Sequence, residues 1–314
     1  MARLTIILAV AMFCFITARP PDPRMLAAIE ALDINHRHEL EAEPDGSYYC
    51  PMDPDVRSVR PGRCSRCGMT LVEGAPDLLE FPLQLHVAPA VPRVAELTRL
   101  TFDLKDPRTQ QPVRNFQVVH EKLFHAFVVS GDLSYFVHDH PERDGDNDFH
   151  LDVRFPKPGM YRVLSDFYPA GGTPQLITNT VIVPGDDNAF APAQLAVDVA
   201  PKDTENAHVT LAAGATNIIA GEPASLDFRI GPLDGLEPYL GAWGHMLAAS
   251  ADLIDMEHHH PTSTEDRKEK HMRFDLIFPR AGMYRVWVQF QRKGVVNTVA
   301  FNVPVAEDRR LPLP

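Results

Sequence analysis

Phe155-Pro-Lys-Pro-Gly-Met-Tyr-Arg-Val163 and Phe278-Pro-Arg-Ala-Gly-Met-Tyr-Arg-Val286 are two copies of one segment in a chain of 314 residues. The same histidine pattern, His-x12-His-x-His-Pro, precedes each copy, and Asn-Thr-Val follows each one. A pattern repeated with its spacing intact indicates a duplicated structural unit. The chain therefore contains two tandem copies of one domain, each of about 105 residues, close to the size of an Ig-like domain.

Both copies have the sequence pattern of short β-strands. Runs such as Arg99–Leu104 and Tyr284–Phe290 are rich in β-branched and aromatic residues, and turn residues separate the runs at intervals of roughly 8–15 residues. This pattern predicts a mainly β chain with two tandem Ig-like antiparallel β-sandwich domains, at 79–185 and 195–305. Neither copy contains a cysteine, so we expect each core to be stable through packing alone.

The N-terminus has the pattern of an export signal. Arg3 is followed by an apolar run, Leu4–Ile16, and by the small residues Thr17-Ala18. Residues 1–18 are thus predicted to be a Sec-type signal peptide of a periplasmic or secreted protein, and 19–46 a short helix and linker. The apolar run is shorter than the roughly 20 residues of a spanning helix, so no stable membrane span is predicted. An uncleaved N-terminal anchor is the alternative.

Charge argues against two classes of partner. The formal net charge of −12 repels nucleic acid and anionic lipid, so neither is expected to bind.

The cysteines are concentrated in a small module at 47–75. After removal of the signal peptide the chain retains Cys50, Cys64 and Cys67, all within 18 residues. A disulfide scaffold distributes its cysteines through the fold, so this clustering favours a metal site. The Cys64-x2-Cys67 spacing directs two thiolates at one ion. A Cys64–Cys67 disulfide beside Cys50 is the alternative.

Two residue types offer further ligands in the module. Asp53 is a candidate fourth ligand for zinc, whereas Met52 and Met69 are soft thioethers suited to Cu(I).

The module resembles a known family. Tyr49-Cys-Pro-Met-Asp-Pro-Asp-Val-Arg57 and Arg60-Pro-Gly-Arg-Cys-Ser-Arg-Cys-Gly-Met-Thr-Leu-Val72 are similar to the small heavy-metal-binding domain of copper and silver efflux adaptors and some metal-pumping ATPases. The resemblance implies a heavy-metal ion as ligand and a metal efflux or copper-handling protein as partner. The family usually has histidine where this chain has Asp53. The sequence contains neither the transmembrane helices of a pump nor the coiled-coil hairpin of an adaptor.

The repeated histidines form two candidate triads. Residues two apart on a strand share a face, so two histidines of each triad can bind one ion, and a hairpin can bring the third alongside from the preceding strand. Three imidazoles suit Cu(II) or zinc. The triads are His125, His138 and His140 in the first repeat, and His245, His258 and His260 in the second. A structural role is the alternative, because His125 lies in an apolar run and duplication copies core residues too.

The repeats also resemble a second family. His-x-His-Pro and Phe-Pro-x-x-Gly-Met-Tyr-Arg-Val are similar to motifs of the copper-associated β-sandwich domains of exported YtkA-like proteins. Met246, Met256 and Met272 lie near the second triad in sequence, where a thioether can complete a copper site or simply fill the core.

The sequence thus predicts an exported metal-binding protein that handles copper or another heavy metal as a chaperone, buffer or sensor, with a copper or zinc ion bound and no enzymatic activity. One alternative is an adhesion or assembly protein with structural zinc. The other is a three-His metalloenzyme with Asp132, Asp139, Asp252 or Glu257 as general base.

Overall fold

The computed structural model describes residues 48–50, 56–64, 70–74, 79–118, 122–143, 148–170, 172–212, 217–261 and 271–307. These residues form β-strands and one short 3-10 helix, and no α-helix is found among them. No helix in this part of the chain is long and apolar enough to span a membrane. The predicted signal peptide and linker, 1–46, lie outside the described residues.

The cysteine module contributes a small antiparallel sheet. The central strand is β1, which pairs with β2 on one side and β3 on the other. The strands are β1 (Tyr48–Tyr49), β2 (Arg57–Ser58) and β3 (Val72–Glu73).

The first repeat is a sandwich of two four-stranded antiparallel sheets, with orders β4-β5-β9-β8 and β11-β10-β6-β7. Its strands are β4 (Leu83–Ala88), β5 (Leu97–Leu104), β6 (Phe124–Ser130), β7 (Phe136–Asp139), β8 (Glu142–Arg143), β9 (Phe149–Arg154), β10 (Gly159–Phe167) and β11 (Gln175–Val183). The 3-10 helix, Asp187–Phe190, follows in the connection to the second repeat.

The second repeat has the same plan. One sheet has the order β12-β13-β15-β19, and the other has the order β14-β21-β20-β17-β18, with β16 also paired to β20. Its strands are β12 (Lys202–Asp203), β13 (His208–Leu211), β14 (Ile218–Ile219), β15 (Pro223–Gly231), β16 (Leu236–Glu237), β17 (His245–Ser250), β18 (Met256–His259), β19 (His271–Ile277), β20 (Gly282–Arg292) and β21 (Val295–Ala306). The prediction of a mainly β chain with two Ig-like sandwiches in tandem is confirmed.

Each sandwich encloses its own apolar core. Tyr161 in the first repeat and Tyr284 in the second belong to the repeated Gly-Met-Tyr-Arg-Val segment and are almost fully buried between the two sheets. Their hydroxyls donate to the main-chain oxygens of Lys157 and Arg280 at 2.8 and 3.0 Å, so both tyrosines bury their rings without losing a hydrogen bond. The repeated motif therefore fixes the start of a core strand.

The two sandwiches also pack against each other. Every residue of β6 and of β17 is buried, although alternate residues of a strand point to opposite faces. The inner faces contribute to the two separate cores, and the outer faces meet in a third apolar cluster. Its buried members are Phe127, Val129, Leu133, Leu164, Leu247, Ala249, Leu253, Met256 and Trp287. The interface between the repeats is therefore a true hydrophobic core.

This interface has approximate two-fold symmetry. The buried members pair by position in the repeats: Phe127 with Leu247, for example, and Leu164 with Trp287. The tight turns after β6 and β17 match as well, because Leu133 and Leu253 both have positive φ angles, 61° and 54°. A positive φ is unfavourable for leucine, so packing at the interface must offset this conformational cost in both copies.

Candidate metal centre

The hairpins of the two repeats bring the predicted histidines together. Phe127 on β6 pairs with His138 on β7, and Leu247 on β17 pairs with His258 on β18. Period-2 alternation then places His125 on the outer face of β6, two residues before Phe127. Because these outer faces form the interface between the repeats, the two triads face each other instead of occupying separate sites.

Six of the chain's 14 histidines converge at this interface, which we call the histidine centre: His125, His138, His140, His245, His258 and His260. The ring centroids of His138 and His245, from different repeats, are 4.9 Å apart, and those of His125 and His258 are 5.5 Å apart. All but His140 are at least nine-tenths buried. The sequence predicted two triads and did not predict their meeting.

The first triad is arranged around the Nδ1 atom of His125. That atom lies 3.3 Å from His138 Nε2 and 3.0 Å from His140 Nε2. A tetrahedral ion with metal–nitrogen distances of about 2.0–2.1 Å has ligand atoms about 3.3 Å apart along each edge. The nitrogen pairs His125–His138 and His125–His140 therefore each have about the separation of two ligand atoms on such an ion.

The second triad uses the equivalent atoms. His245 Nε2 donates to the main-chain oxygen of Tyr239 at 2.9 Å, which leaves the lone pair on Nδ1. That Nδ1 lies 3.1 Å from His260 Nε2. His258 Nε2 is fully buried and has no hydrogen-bond partner among the described residues. An unpartnered buried nitrogen directed at two other imidazoles fits a metal ligand, so the residues present are suited to copper or zinc.

Side chains behind the histidines set their orientation. His258 Nδ1 lies 2.5 Å from Asp166 Oδ2, a residue of the other repeat. His138 Nδ1 donates to Gln289 Oε1 at 2.9 Å, again across the interface, and Gln289 Nε2 donates to Thr298 Oγ1. With Nδ1 so engaged, each ring presents Nε2 to the centre, which is how such partners fix the tautomer of a metal-binding histidine.

Asp166 and Gln289 are the functional residues that the sequence argument missed. They occupy the same place in the repeated segment, seven positions after Gly159 and Gly282. A polar residue at the same position of the repeated strand in both copies was the available signal.

Burial controls the charge of these groups. It lowers the pKa of His138 and His258 well below the usual value, and the neighbouring histidines lower it further. Burial and the nearby His125 lower the pKa of His140 to about 3. Burial also raises the pKa of Asp166 to about 7. The centre is thus built to hold neutral imidazoles, the form whose lone pairs bind metal.

The ligand atoms of the two triads interleave. His245, His258 and His260 have ligand atoms that all lie within 4.8 Å of one another, and so do His125, His138 and His245. His245 belongs to both groups, and the second group crosses the interface.

The cysteine module packs against the first repeat near this centre. Cys50 and Cys64 are buried in one small cluster with Leu71 and Tyr168. Tyr168 directly follows β10 and lies two residues after Asp166, which contacts His258. Two buried cysteines in one cluster fit a soft metal ion. Cys67, Asp53, Met52 and Met69 lie outside the described residues.

Other residues considered from the sequence lie elsewhere. Met246 and Met272 are buried in the core of the second sandwich, and Met256 belongs to the apolar interface cluster, so all three fill cores. Asp132 accepts a hydrogen bond from Lys157, and Asp252 accepts hydrogen bonds from Arg280, at the turns that end β6 and β17. Both carboxylates stabilise those turns.

The fold and the centre define a class of protein: tandem Ig-like sandwiches joined by a histidine-rich interface, preceded by a cysteine module. The chain belongs to the family described as a domain of unknown function (DUF8832), which matches residues 83–185 and 202–307. The heavy metal binding domain matches residues 47–73, so the resemblance predicted for the module is confirmed. No curated protein matches the chain.

Similar solved structures include bacterial adhesins and fibronectin type III domains. The Escherichia coli adhesin FdeC is 16% identical over 75% of this chain and 70% of its own, with a TM-score of 0.25. A segment of two fibronectin type III domains from chicken tenascin is 10% identical over 72% of this chain and 99% of its own, with a TM-score of 0.23. The Yersinia pseudotuberculosis adhesin InvE is 11% identical over 70% and 58%, with a TM-score of 0.24. TM-scores this low carry no inference about function.

Proposed function

We propose that this chain is an exported metal-binding protein that handles copper or zinc, and that it acts as a chaperone, buffer or sensor without catalysing a reaction. The observation that carries the proposal is the histidine centre, where the sandwich repeats direct six imidazoles at one buried region. The match of the cysteine module to the heavy metal binding domain supports the same activity from an independent part of the chain.

The two regions offer different ligand chemistry. Thiolates prefer soft ions such as Cu(I), whereas neutral imidazoles bind Cu(II) and zinc. The module would bind the soft ion through Cys50, Cys64 and, beyond the described residues, Cys67. The histidine centre would bind the borderline ion through three or four of its imidazoles, which offer Nδ1 of His125 and His245 and Nε2 of the other four histidines.

Burial of metal ligands between two domains favours slow release of the bound ion over rapid exchange. The six histidines are held by hairpins of both sandwiches, and Asp166 and Gln289 fix two of the rings from the opposite repeat. Ligands so fixed lose little freedom when an ion binds, which favours affinity. Export follows from the predicted signal peptide, and a metal efflux or copper-handling protein is the proposed partner.

Metal titration of the purified full chain tests the proposal. Cu(I) is titrated under reducing conditions, Cu(II) and Zn(II) are titrated in separate samples without reductant, and bound metal is counted. We expect Cys50→Ser with Cys64→Ser to remove the soft-ion site. We expect His138→Ala with His258→Ala to reduce binding of Cu(II) and Zn(II) and to leave the soft-ion site intact.

The matched control replaces two histidines that lie on strands outside the centre and have about half-exposed side chains, His86→Ala with His208→Ala. This variant should bind as much metal as the unmodified chain. If it and the His138/His258 variant bind the same amount, the centre is structural and the proposal fails. If metal removal instead unfolds the whole chain, the structural-zinc alternative gains.

A further inference from the structure

Among the described residues, two sets of three histidines have ligand atoms that all lie within 4.8 Å of one another, and both sets contain His245. We propose that His245 is the shared ligand of the histidine centre, which therefore binds one metal ion at a time in either of two overlapping sets. This inference rests on the proposed metal binding and deepens it, because it gives the number of ions and the ligands of each position.

The two sets use the interface differently. The second-repeat set takes all its ligands from one sandwich: His245, His258 and His260. The bridging set takes ligands from both sandwiches: His125, His138 and His245. His140 belongs to neither of these sets, although its place in the first repeat is that of His260 in the second. The duplicated triads are thus not equivalent as metal sites.

His245 has one nitrogen available for coordination. Its Nε2 donates to the main-chain oxygen of Tyr239 at 2.9 Å, so only Nδ1 of the neutral ring carries a lone pair. One lone pair binds one ion. Because both sets need this atom, an ion in one set excludes an ion from the other.

The ring of His245 is placed to serve both sets. Its centroid is 4.9 Å from that of His138, in the bridging set, and 4.8 Å from that of His260, in the second-repeat set. The imidazole is thus about equally close to a ligand of each set. An ion can therefore pass between the sets by exchange of the other ligands while His245 stays bound.

The second-repeat set has the stronger ligand. His258 Nε2 is buried and has no hydrogen-bond partner among the described residues, and Nδ1 of the same ring lies 2.5 Å from the carboxylate of Asp166. The ring of His138, in the bridging set, has the uncharged Gln289 in the equivalent place. Loss of such an outer partner typically lowers metal affinity about 10- to 100-fold. We therefore expect the ion to occupy the second-repeat set and to use the bridging set when a ligand of the second-repeat set is removed.

The experiment uses the full chain with Cys50→Ser, Cys64→Ser and Cys67→Ser, so that the module contributes no thiolate. Bound Zn(II) is counted, its affinity is measured by chelator competition, and the visible absorption of Co(II) reports the ligand set. We expect one ion per chain. His245→Ala should abolish binding at the centre.

The matched control for His245→Ala is His259→Ala. His259 is the last residue of β18, where it points to the face opposite His258, and its side chain is 24% exposed. This variant should bind Zn(II) as the parent does, because it removes an imidazole from the same hairpin and no member of either set.

Two double variants separate the sets. His260→Ala should move the ion to the bridging set, with one ion retained, an affinity about 10- to 100-fold lower and a changed Co(II) spectrum. Adding His138→Ala should then abolish binding, whereas adding His140→Ala should cause no further loss. Both double variants remove one imidazole from each repeat, so only membership of the bridging set distinguishes them.

The outcomes separate this inference from the proposed function. Two ions per parent chain, or equal affinities of the two double variants, would overturn the shared ligand and leave metal binding intact. No Zn(II) or Co(II) in the parent chain would overturn the proposed function itself. The ion count needs no substitution in the centre, so misfolding of a histidine variant cannot obscure it.

Discussion

Replacement of Asp166 by asparagine tests whether a charge behind the ligand strengthens the centre. Asp166 Oδ2 lies 2.5 Å from His258 Nδ1, and the equivalent acceptor behind His138 is the uncharged Oε1 of Gln289. Asparagine keeps an acceptor oxygen of the same reach and removes only the charge. The substitution therefore leaves an uncharged acceptor behind both His258 and His138, and it leaves all six histidines of the centre in place.

The structure bounds the size of the effect. An ion on His258 Nε2 would be about 6.5 Å from the carboxylate, the sum of the hydrogen bond, the ring and a metal–nitrogen bond. A divalent ion and a unit charge at that distance attract by about 5 kcal/mol at an effective dielectric constant of about 20. The cost of desolvating the carboxylate and the remaining amide dipole offset part of this, and comparable substitutions weaken metal binding about 10- to 100-fold. We expect a loss in this range, about 1.4–2.8 kcal/mol, for an ion bound through His258.

Chelator competition with Zn(II) measures this loss. The assay uses the Cys50→Ser, Cys64→Ser chain at pH 8, where Asp166 is ionised because its pKa is about 7. Gln289→Glu is the matched control, and it should strengthen binding of an ion through His138. An Asp166→Asn chain that binds Zn(II) as tightly as its parent would refute the reasoning, and so would a change of the same sign in both variants.

Three further predictions concern the scaffold. Trp287→Ala removes a buried ring that stacks on Phe136, with centroids 5.0 Å apart, and should cost about 3–5 kcal/mol and separate the unfolding of the two sandwiches in calorimetry. Burial raises the pKa of Asp252, but hydrogen bonds from Arg280 and Ser250 outweigh this and lower it to about 2. The ion pair thus stabilises the fold above pH 4 and is lost as the pH falls towards 2. It contributes about 1 kcal/mol or less after solvent screening. Asp252→Asn should therefore make the free energy of unfolding depend less on pH over that interval. Tyr168→Ala should expose Cys50 and Cys64, seen as faster reaction of the reduced, metal-free chain with a thiol reagent.

Each scaffold prediction has its own control. Leu276→Ala changes the core of the second sandwich and not the interface. It should lower the free energy of unfolding without separating the unfolding of the two sandwiches in calorimetry. The Asp252→Asn result should approach that of the parent as the pH falls below 2, because Asp252 becomes protonated and neutral there. Tyr168→Phe keeps the ring over the cysteines and should react at the parental rate; equal rates for Tyr168→Ala and the parent would contradict the packing argument.

The sequence predicted the sandwiches because their signals are local. Strand propensity, turn spacing and the duplicated Gly-Met-Tyr-Arg-Val segment all act within one repeat, and Tyr161 and Tyr284 fill the same place in both cores. The hairpin position of His125 beside His138 was also predictable, because strand periodicity and a short connection decide it.

The meeting of the triads was not predictable in the same way, since it depends on how one finished sandwich packs on another. One clue was present. The segment Leu123–Val129 is apolar on both faces, a pattern that also fits a histidine within a single core. A strand buried on both faces instead indicates a sheet that packs against other structure on both sides. Here one face of β6 packs in its own sandwich and the other packs against the second repeat.

The covalent connection between the repeats explains how the halves came to differ. In a symmetric dimer every contact of an isologous interface occurs twice with identical residues. This interface keeps that geometry: His138 contacts position 289 and His258 contacts position 166, which are equivalent in the two repeats. Because both copies lie in one chain, the residues at these positions are free to differ, and they are glutamine and aspartate. A symmetric dimer of one repeat would have either two charged anchors or none, so only the tandem chain can place a carboxylate behind a histidine of one triad and an amide behind the equivalent histidine of the other.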